Sequence, residues 1–439
     1  MNRYQILALL AVAAVLLGAC SSMPSRVQTE QPEYVMTVRV GAHETVQSLE
    51  RRFGGSVLVL EPGRYAVLSV KPDPRGGVST ASSHVEPNHS RFLAGGQIAW
   101  MNGQSNLWAG GQSNLWAGGQ SNLWAGGQSN LWAGGQSNLW AGGSFAWMPQ
   151  NTQIWQHIGL PQAHSLARNL GSGVKVAVID TGVDLDHPAL RDALAPKSEH
   201  WDFVDNDPVP QEQGTFGLGG YGHGTNVAGI IRQIAPRATI LPLRVLGPDG
   251  RGDVVHLAAA INRAVANGAN VINLSLGSEN PSPAVEAALE AATAAGVMVV
   301  ASAGNAGNTQ VTYPASSARG ADGWQRLSVT SINLSDARSF FASYGESIEV
   351  AAPGEAIYGP APENQMAAWS GTSMAAPIAA GALALALGET LVVPMKNLAD
   401  ELMVRGSDLY NNDLNERYKD LLGDGRINLE EFLVNTILR

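Results

Sequence analysis

The chain has 439 residues, 45% hydrophobic and 15% charged, long enough for one large domain plus smaller pieces. Its formal net charge is −10 with the acids scattered along the chain, which excludes a nucleic-acid footprint and any nucleic-acid partner. One cysteine in the whole chain excludes a disulfide scaffold.

Met1-Asn2-Arg3 gives one positive charge, and Ile6 to Leu17 is almost wholly apolar. That stretch is too short to span a bilayer and reads as a secretory signal over residues 1–19. It ends in Leu17-Gly18-Ala19-Cys20, which resembles the bacterial lipobox. The resemblance implies that cleavage leaves Cys20 as a lipid-bearing N-terminus, so the expected membrane partner is reached through lipidated Cys20. The chain is then anchored to a cell-envelope membrane without crossing it. Residues 20–33 are polar and read as a tether.

Residues 34–71 predict a small βαββ unit. Met36, Val38 and Val40 alternate as in a strand, and Val46, Leu49 and Phe53 fall at helical spacing before Gly54-Gly55. Two apolar runs then flank Glu61-Pro62-Gly63-Arg64, a hairpin pattern. About forty residues is small for an independent core, so this unit needs a partner surface. Residues 72–102 read as loop.

Phe92 to Ala167 contains no Asp, Glu, Lys or Arg, and eight of the eleven Trp lie between Trp100 and Trp155. Within it GQSNLWAG runs five times without change, from Gly103 to Gly142. Three readings stay open. As a flexible tether the run would span about 35 Å coiled and roughly 130 Å extended. As a β-meander it would turn at each Gly-Gly. As a sticky surface its Trp would meet membrane or glycan. Residues 143–151 read as linker.

From residue 152 to 435 the pattern becomes α/β. Val174 to Ile179 is a β-branched run suited to a strand buried on both faces. Ile240 to Leu246, Val271 to Leu276, Val297 to Ser302 and Leu327 to Ile332 repeat it, with helix-like stretches at His256 to Asn267 and Pro283 to Ala295. Such alternation predicts a mostly parallel sheet.

Three stretches carry chemistry. Val178-Ile179-Asp180-Thr181-Gly182 ends a strand in an acid. Gly222-His223-Gly224-Thr225 opens a helix with a His. Gly371-Thr372-Ser373-Met374-Ala375 brings a Ser into an Ala-rich helix. A hydroxyl becomes a nucleophile when a His takes its proton, and that His needs an acid to fix its tautomer. Each residue alone has a plain reading as a cap or structural group. Together, at strand ends and helix starts of one α/β domain, they point to a catalytic constellation.

In this order and setting the chain resembles the subtilisin-like serine proteases, the subtilases, over roughly residues 152–435. The resemblance implies a subtilisin-like three-layer α/β fold, protein or peptide substrates, and a serine endopeptidase working through an acyl-enzyme. It implies Asp180 as orienting acid, His223 as general base and Ser373 as nucleophile. Ala301-Ser302-Ala303-Gly304-Asn305 matches the segment that supplies an oxyanion amide, here Asn305, with the Ser373 backbone N–H as second donor. Asn273-Leu274-Ser275-Leu276-Gly277 resembles the substrate-pairing strand. Ser275, Leu276 and Gly277 then form one wall of the first specificity pocket, and Ser302, Ala303 and Gly304 the other. Thr312-Tyr313-Pro314-Ala315 matches a pocket-side loop and Val350 to Gly354 the run ahead of the nucleophile. The 34–71 unit resembles the family's inhibitor-like propeptide, making the chain's own propeptide a partner and a processing cut near Met148 to Thr152 an expectation.

No cofactor is required by this chemistry. Structural calcium is unsupported at the family's usual acid, where Ala189 follows His187-Pro188. Asp420, Asp424, Gly425, Ile427 and Glu431 fit parts of a calcium loop, but Leu422 takes a ligand position. A closing Gly-rich turn before a final helix is the preferred reading. The reading from another class is a surface-displayed binding protein that works through its Trp repeats on an inert protease scaffold.

Overall fold

A computed structural model describes residues 32–70, 83–88, 92–94, 148–215, 218–318 and 325–438. The signal, Cys20 and the octapeptide run fall outside the described residues.

The N-terminal unit comprises β1 (Tyr34–Arg39), α1 (Val46–Phe53), β2 (Val57–Glu61), β3 (Tyr65–Val70) and β4 (Ser83–Pro87), with strand order β2-β3-β1-β4. All its strand pairs are antiparallel. Thr45 and Ser48 form a capping box at the start of α1, and Gly54 closes it at φ 74°, a left-handed cap that Gly adopts without strain. The expected βαββ order is present. The segment expected as loop carries a further strand, β4, held by backbone pairing to β1 from Tyr34↔Pro87 to Val38↔Ser83. That pairing needs no apolar alternation, so the sequence pattern did not mark it.

This sheet is buried on both faces. Met36, Val38, Val40, Leu49, Ala66 and Leu68 form its own core. Val35, Val59, Tyr65 and Val67 join the core of the larger domain instead. The partner surface the small unit needs is therefore part of the same chain.

The rest of the chain begins with β5 (Phe92–Ala94), α2 (Thr152–His157), β6 (Lys175–Asp180) and β7 (Trp201–Asp202). Next come α3 (His223–Ile234), β8 (Thr239–Arg244), β9 (Arg251–Gly252), α4 (Val254–Ala266), β10 (Val271–Leu274) and β11 (Leu276–Gly277). Then follow α5 (Pro283–Ala294), β12 (Met298–Ser302), β13 (Arg326–Ile332), β14 (Val350–Pro353) and the hairpin β15 (Ile357–Ala361) and β16 (Gln365–Trp369). Helices α6 (Thr372–Leu387) and α7 (Leu429–Thr436) come last among the longer elements, with seven-residue helices at Leu160–Leu166 and Leu398–Val404 besides.

Seven parallel strands form the central sheet in the order β14-β13-β12-β10-β6-β8-β7. Alternate residues face opposite layers. Val176, Val178, Val271 and Val300 pack with α3 and α6, while Ala177, Ile179, Ile272 and Val299 pack with α4 and α5. This is the expected three-layer α/β architecture. Helix α6 is apolar all round because it is buried almost end to end. A Cβ on its Gly381 would stand 2.6 Å from Ile234 Cβ, so α3 and α6 meet at a glycine.

The packed domain is wider than expected. Residues 143–151 read as linker, yet Met148 and Asn151 are buried, and both hydrogen bond to Gln233 Oε1. At the other end the Leu438 N–H donates to Thr390 O, past residue 435. The Gly-rich turn before α7 packs onto β14: Asp424 N–H donates to Glu349 O, Ile427 N–H to Ala351 O, and Leu422 is fully buried.

Candidate active site

The chain leaves β6 toward β7 and β8 on one side of the sheet, then crosses to build β10, β12, β13 and β14 on the other. The ends of β6 and β10 flank that reversal, where open α/β sheets hold their ligands. Asp180 is the last residue of β6, and Ser275 follows β10.

His223 opens α3, and its Nδ1 lies 2.7 Å from Asp180 Oδ1, with both side chains fully buried. Gly224 makes the approach possible: a Cβ there would stand 2.1 Å from Gly182 O and 3.1 Å from Asp180 Cβ. The acid is pinned as well, since Thr181 N–H donates to Asp180 Oδ1 at 2.7 Å. Trp369 meets the imidazole edge-on, with centroids 5.7 Å apart and planes at 86°. With Nδ1 held by the carboxylate, Nε2 is the nitrogen left for chemistry. Among the described residues no hydrogen bond reaches it.

Ser373 is the second residue of α6 and fully buried. Its hydroxyl donates to Ser275 O at 3.1 Å, and Ser275 Oγ donates to Ser373 O at 2.8 Å. This reciprocal pair ties the nucleophile candidate to the candidate substrate strand. At the second position of a helix its backbone N–H has no partner within the helix.

Asn305 is oriented by its oxygen. Oδ1 accepts from Thr372 N–H at 2.8 Å and Thr372 Oγ1 at 3.1 Å. Those donors settle which end of the amide is which, leaving Nδ2 turned away and, among the described residues, without a partner. An aligned amide donor beside a helix-start N–H is what a developing oxyanion requires.

The two stretches expected to line a pocket lie at or beside short strands. Ser275 to Gly277 runs into β11, and Ser302 to Gly304 follows β12. Gly304 N–H donates to Thr372 Oγ1 at 3.1 Å, next to Ser373. Thr312 stands between them. A Cβ on Gly277 would lie 2.3 Å from Thr312 Oγ1, and one on Gly304 2.7 Å from Thr312 Cγ2. Thr312 N–H donates to Ala303 O at 2.9 Å and its Oγ1 donates to Ser302 O at 3.3 Å, which hold the residue there.

The groove beside β11 holds part of the chain itself. β5 lies between β11 and β9, antiparallel to both, with Ala94 opposite Leu276, Leu93 opposite Gly277 and Arg251, and Phe92 opposite Gly252. Upstream, Glu86 Oε1 accepts from Ser282 Oγ at 3.0 Å and Ala284 N–H at 3.1 Å, at the start of α5. Asn88 Oδ1 accepts from Val255 N–H at 3.4 Å, at the start of α4. Arg64 Nη1 donates to Ala291 O at 3.1 Å, and the Tyr65 hydroxyl donates to Asn262 Oδ1 at 2.9 Å.

Sequence reasoning missed Glu212. It is buried, its Oε1 accepts from Thr181 Oγ1 at 2.6 Å, and its Oε2 accepts from Thr225 N–H and Oγ1 at 3.0 and 2.7 Å. Thr181 Oγ1 in turn accepts from Gly224 N–H at 2.9 Å. Glu212 thus bridges the strand end that bears Asp180 and the helix that bears His223. Burial, with the charge of Asp180 as a lesser cause, pushes its carboxyl up to about 7. It sits in an irregular Pro-Gln-Glu-Gln loop with no periodicity or motif to mark it.

The model of the subtilase family matches residues 171–403. Thermitase of Thermoactinomyces vulgaris is 38% identical over 267 residues, 57% of this chain and 89% of that protein. Subtilisin BL of Lederbergia lenta is 36% identical over 279 residues, 62% of this chain and 94% of that protein. A solved structure of a Pseudoalteromonas arctica protease superposes with a TM-score of 0.56 at 25% identity, covering 65% of this chain and 98% of that one.

Proposed function

The chain belongs to the subtilase family and is a serine endopeptidase acting on proteins or peptides, and from that premise we propose which residues do the work and how the chain is matured. His223 Nε2 takes the proton of Ser373 Oγ as that oxygen attacks the scissile carbonyl. Asp180 holds the imidazole in the required tautomer and balances its charge. Asn305 Nδ2 and the Ser373 N–H receive the oxyanion. His223 then protonates the leaving amine, and water, activated by the same His, hydrolyses the acyl-enzyme. Side chains and water suffice for these steps, so no cofactor enters them. The observation that carries the reading is the buried 2.7 Å contact between His223 and Asp180, at the sheet end that also holds Ser373.

The substrate lies as an added strand along Ser275 to Gly277, its first pocket closed on the far side by Ser302 to Gly304. Support comes from β5, which already pairs with β11 in that manner. The N-terminal unit acts as the chain's own inhibitor-like propeptide, docked through Arg64, Tyr65, Glu86 and Asn88. Self-processing follows at a bond just after β5. The bonds near Met148 to Thr152, favoured by the sequence pattern alone, belong to the packed domain: Met148, Asn151 and Trp155 are buried around Gln233. We place the precursor in the cell envelope, held through lipid on Cys20, on the strength of the Leu17 to Cys20 motif.

The test is Ser373→Ala. It should cut peptide hydrolysis by at least about 10⁴-fold, the scale seen for triad losses in subtilisin itself. It should also leave the precursor whole and in the membrane fraction, from which Cys20→Ser releases it. Normal hydrolysis by the Ser373→Ala chain would end the assignment of the nucleophile. A Cys20→Ser chain still in the membrane fraction would end that of the anchor.

A further inference from the structure

The segment in the groove has copies elsewhere in the chain. β5 and the residues after it read Phe92-Leu93-Ala94-Gly95-Gly96-Gln97. Two large apolar residues precede Ala-Gly-Gly-Gln. Each octapeptide junction repeats that plan as Leu-Trp-Ala-Gly-Gly, starting at Leu107, Leu115, Leu123, Leu131 and Leu139, followed by Gln four times and by Ser144 at the last. Ala-Gly-Gly therefore occurs once beside the groove-bound strand and five times in the run downstream.

Building on the protease reading above, we propose that the octapeptide run is a tandem array of substrate sites for this same active site. In the register of β5, Leu276 faces Ala94. Continued by one step, that register would set Ser275 opposite the residue after Ala. The Ser275 carbonyl is 3.1 Å from Ser373 Oγ, so the carbonyl brought to the nucleophile is that of the first Gly in Ala-Gly-Gly. The side chain at that position would turn between the Ser275–Gly277 and Ser302–Gly304 walls, where Thr312 already occupies the space against Gly277 and Gly304. Glycine at that position asks for no room there.

The bonds cut are thus Gly95–Gly96, then Gly110–Gly111, Gly118–Gly119, Gly126–Gly127, Gly134–Gly135 and Gly142–Gly143. At each, Ser373 Oγ bonds to the carbonyl carbon and the C–N bond breaks. The amine leaves with a proton from His223, and one water then restores the Ser373 hydroxyl and frees the carboxylate. The cut at Gly110–Gly111 releases residues 96–110, and each later cut releases one whole GQSNLWAG unit. The first cut separates the enzyme from the propeptide and Cys20, and the later ones trim the tail that remains.

The experiment uses the full chain. Intact-mass and N-terminal analysis of active protein should find a ladder starting at Gly96, Gly111, Gly119, Gly127, Gly135 and Gly143, its last five members differing by whole octapeptides. Incubating full-length Ser373→Ala chain with active enzyme should give the same ladder. A chain carrying Gly110→Phe, Gly118→Phe, Gly126→Phe, Gly134→Phe and Gly142→Phe should lose every step but Gly96. A single start with the run intact, or cuts at other bonds, overturns the proposal if the protein still hydrolyses a general protein substrate and labels at Ser373. A protein that does neither overturns the protease reading itself.

Discussion

Glu212 shows how a residue outside the catalytic motifs ties the site to pH. Its carboxyl is pushed up to about 7 from a usual 4.5, chiefly by burial. The folded chain therefore keeps a proton that the unfolded chain releases at lower pH. The stability contributed by Glu212 is complete below pH 4.5, shrinks as pH rises, and is gone above about 7. A shift of that size is worth about 3 kcal/mol. In a Ser373→Ala background, which prevents self-digestion, Glu212→Gln should remove this pH dependence. Unfolding measured across pH 4.5 to 7.5 should show the parent losing stability against the variant by roughly that amount. Parallel curves would contradict the account.

Asp180, His223 and Ser373 were legible because each sits in a short motif at a strand end or helix start, and their joint order has few other meanings. Asn305 was legible through the segment that precedes it. Glu212 and the position of Thr312 between the two walls were not, because both depend on where irregular loops lie in space. Thr372 stood inside a quoted motif, yet its role in turning the Asn305 amide depends on a contact 67 residues away in sequence.

At the scale of elements, the long parallel strands read clearly from their β-branched runs, since burial on both faces leaves no polar alternation to confuse them. β4 did not, because Ser83-His84-Val85-Glu86-Pro87 is held by backbone pairing and by what Glu86 does across the interface. The second apolar face of the N-terminal sheet also stayed hidden: Val35, Tyr65 and Val67 alternate with residues of its own core, and which face meets the larger domain is a matter of docking. Glu86 supplies a measurable link. It accepts from Ala284 N–H at the positive end of α5, a capping contact worth about 1 kcal/mol. In the Ser373→Ala chain, Glu86→Ala should speed hydrogen exchange in the first turn of α5 by about fivefold and leave the first turn of α6 unchanged. Equal protection of α5 in both chains would remove Glu86 as the docking contact.

At the scale of the whole molecule, the order of parts acquires a meaning that no single part has. As proposed above, a lipid-anchoring motif would come first, then a unit acting as inhibitor, then the strand β5 paired with β11, then the tandem run, then the enzyme. A cut after β5 leaves the anchor and inhibitor as one piece and the run on the other. On that proposal the run would be no leash between membrane and enzyme once processing had begun; it would be a tail on the released protease. The three physical readings of the repeat would then bear on the proposed precursor, in which the run joins the N-terminal part to the catalytic domain.

All of this depends on Ser373 being an activated nucleophile in the mature protein. The direct measurement is reaction with a fluorophosphonate, followed by peptide mapping of the labelled site. One adduct is expected, on Ser373, formed by the processed protein, lost in His223→Ala and absent from Ser373→Ala. No adduct on processed protein, or an equal adduct on a different residue, would contradict it.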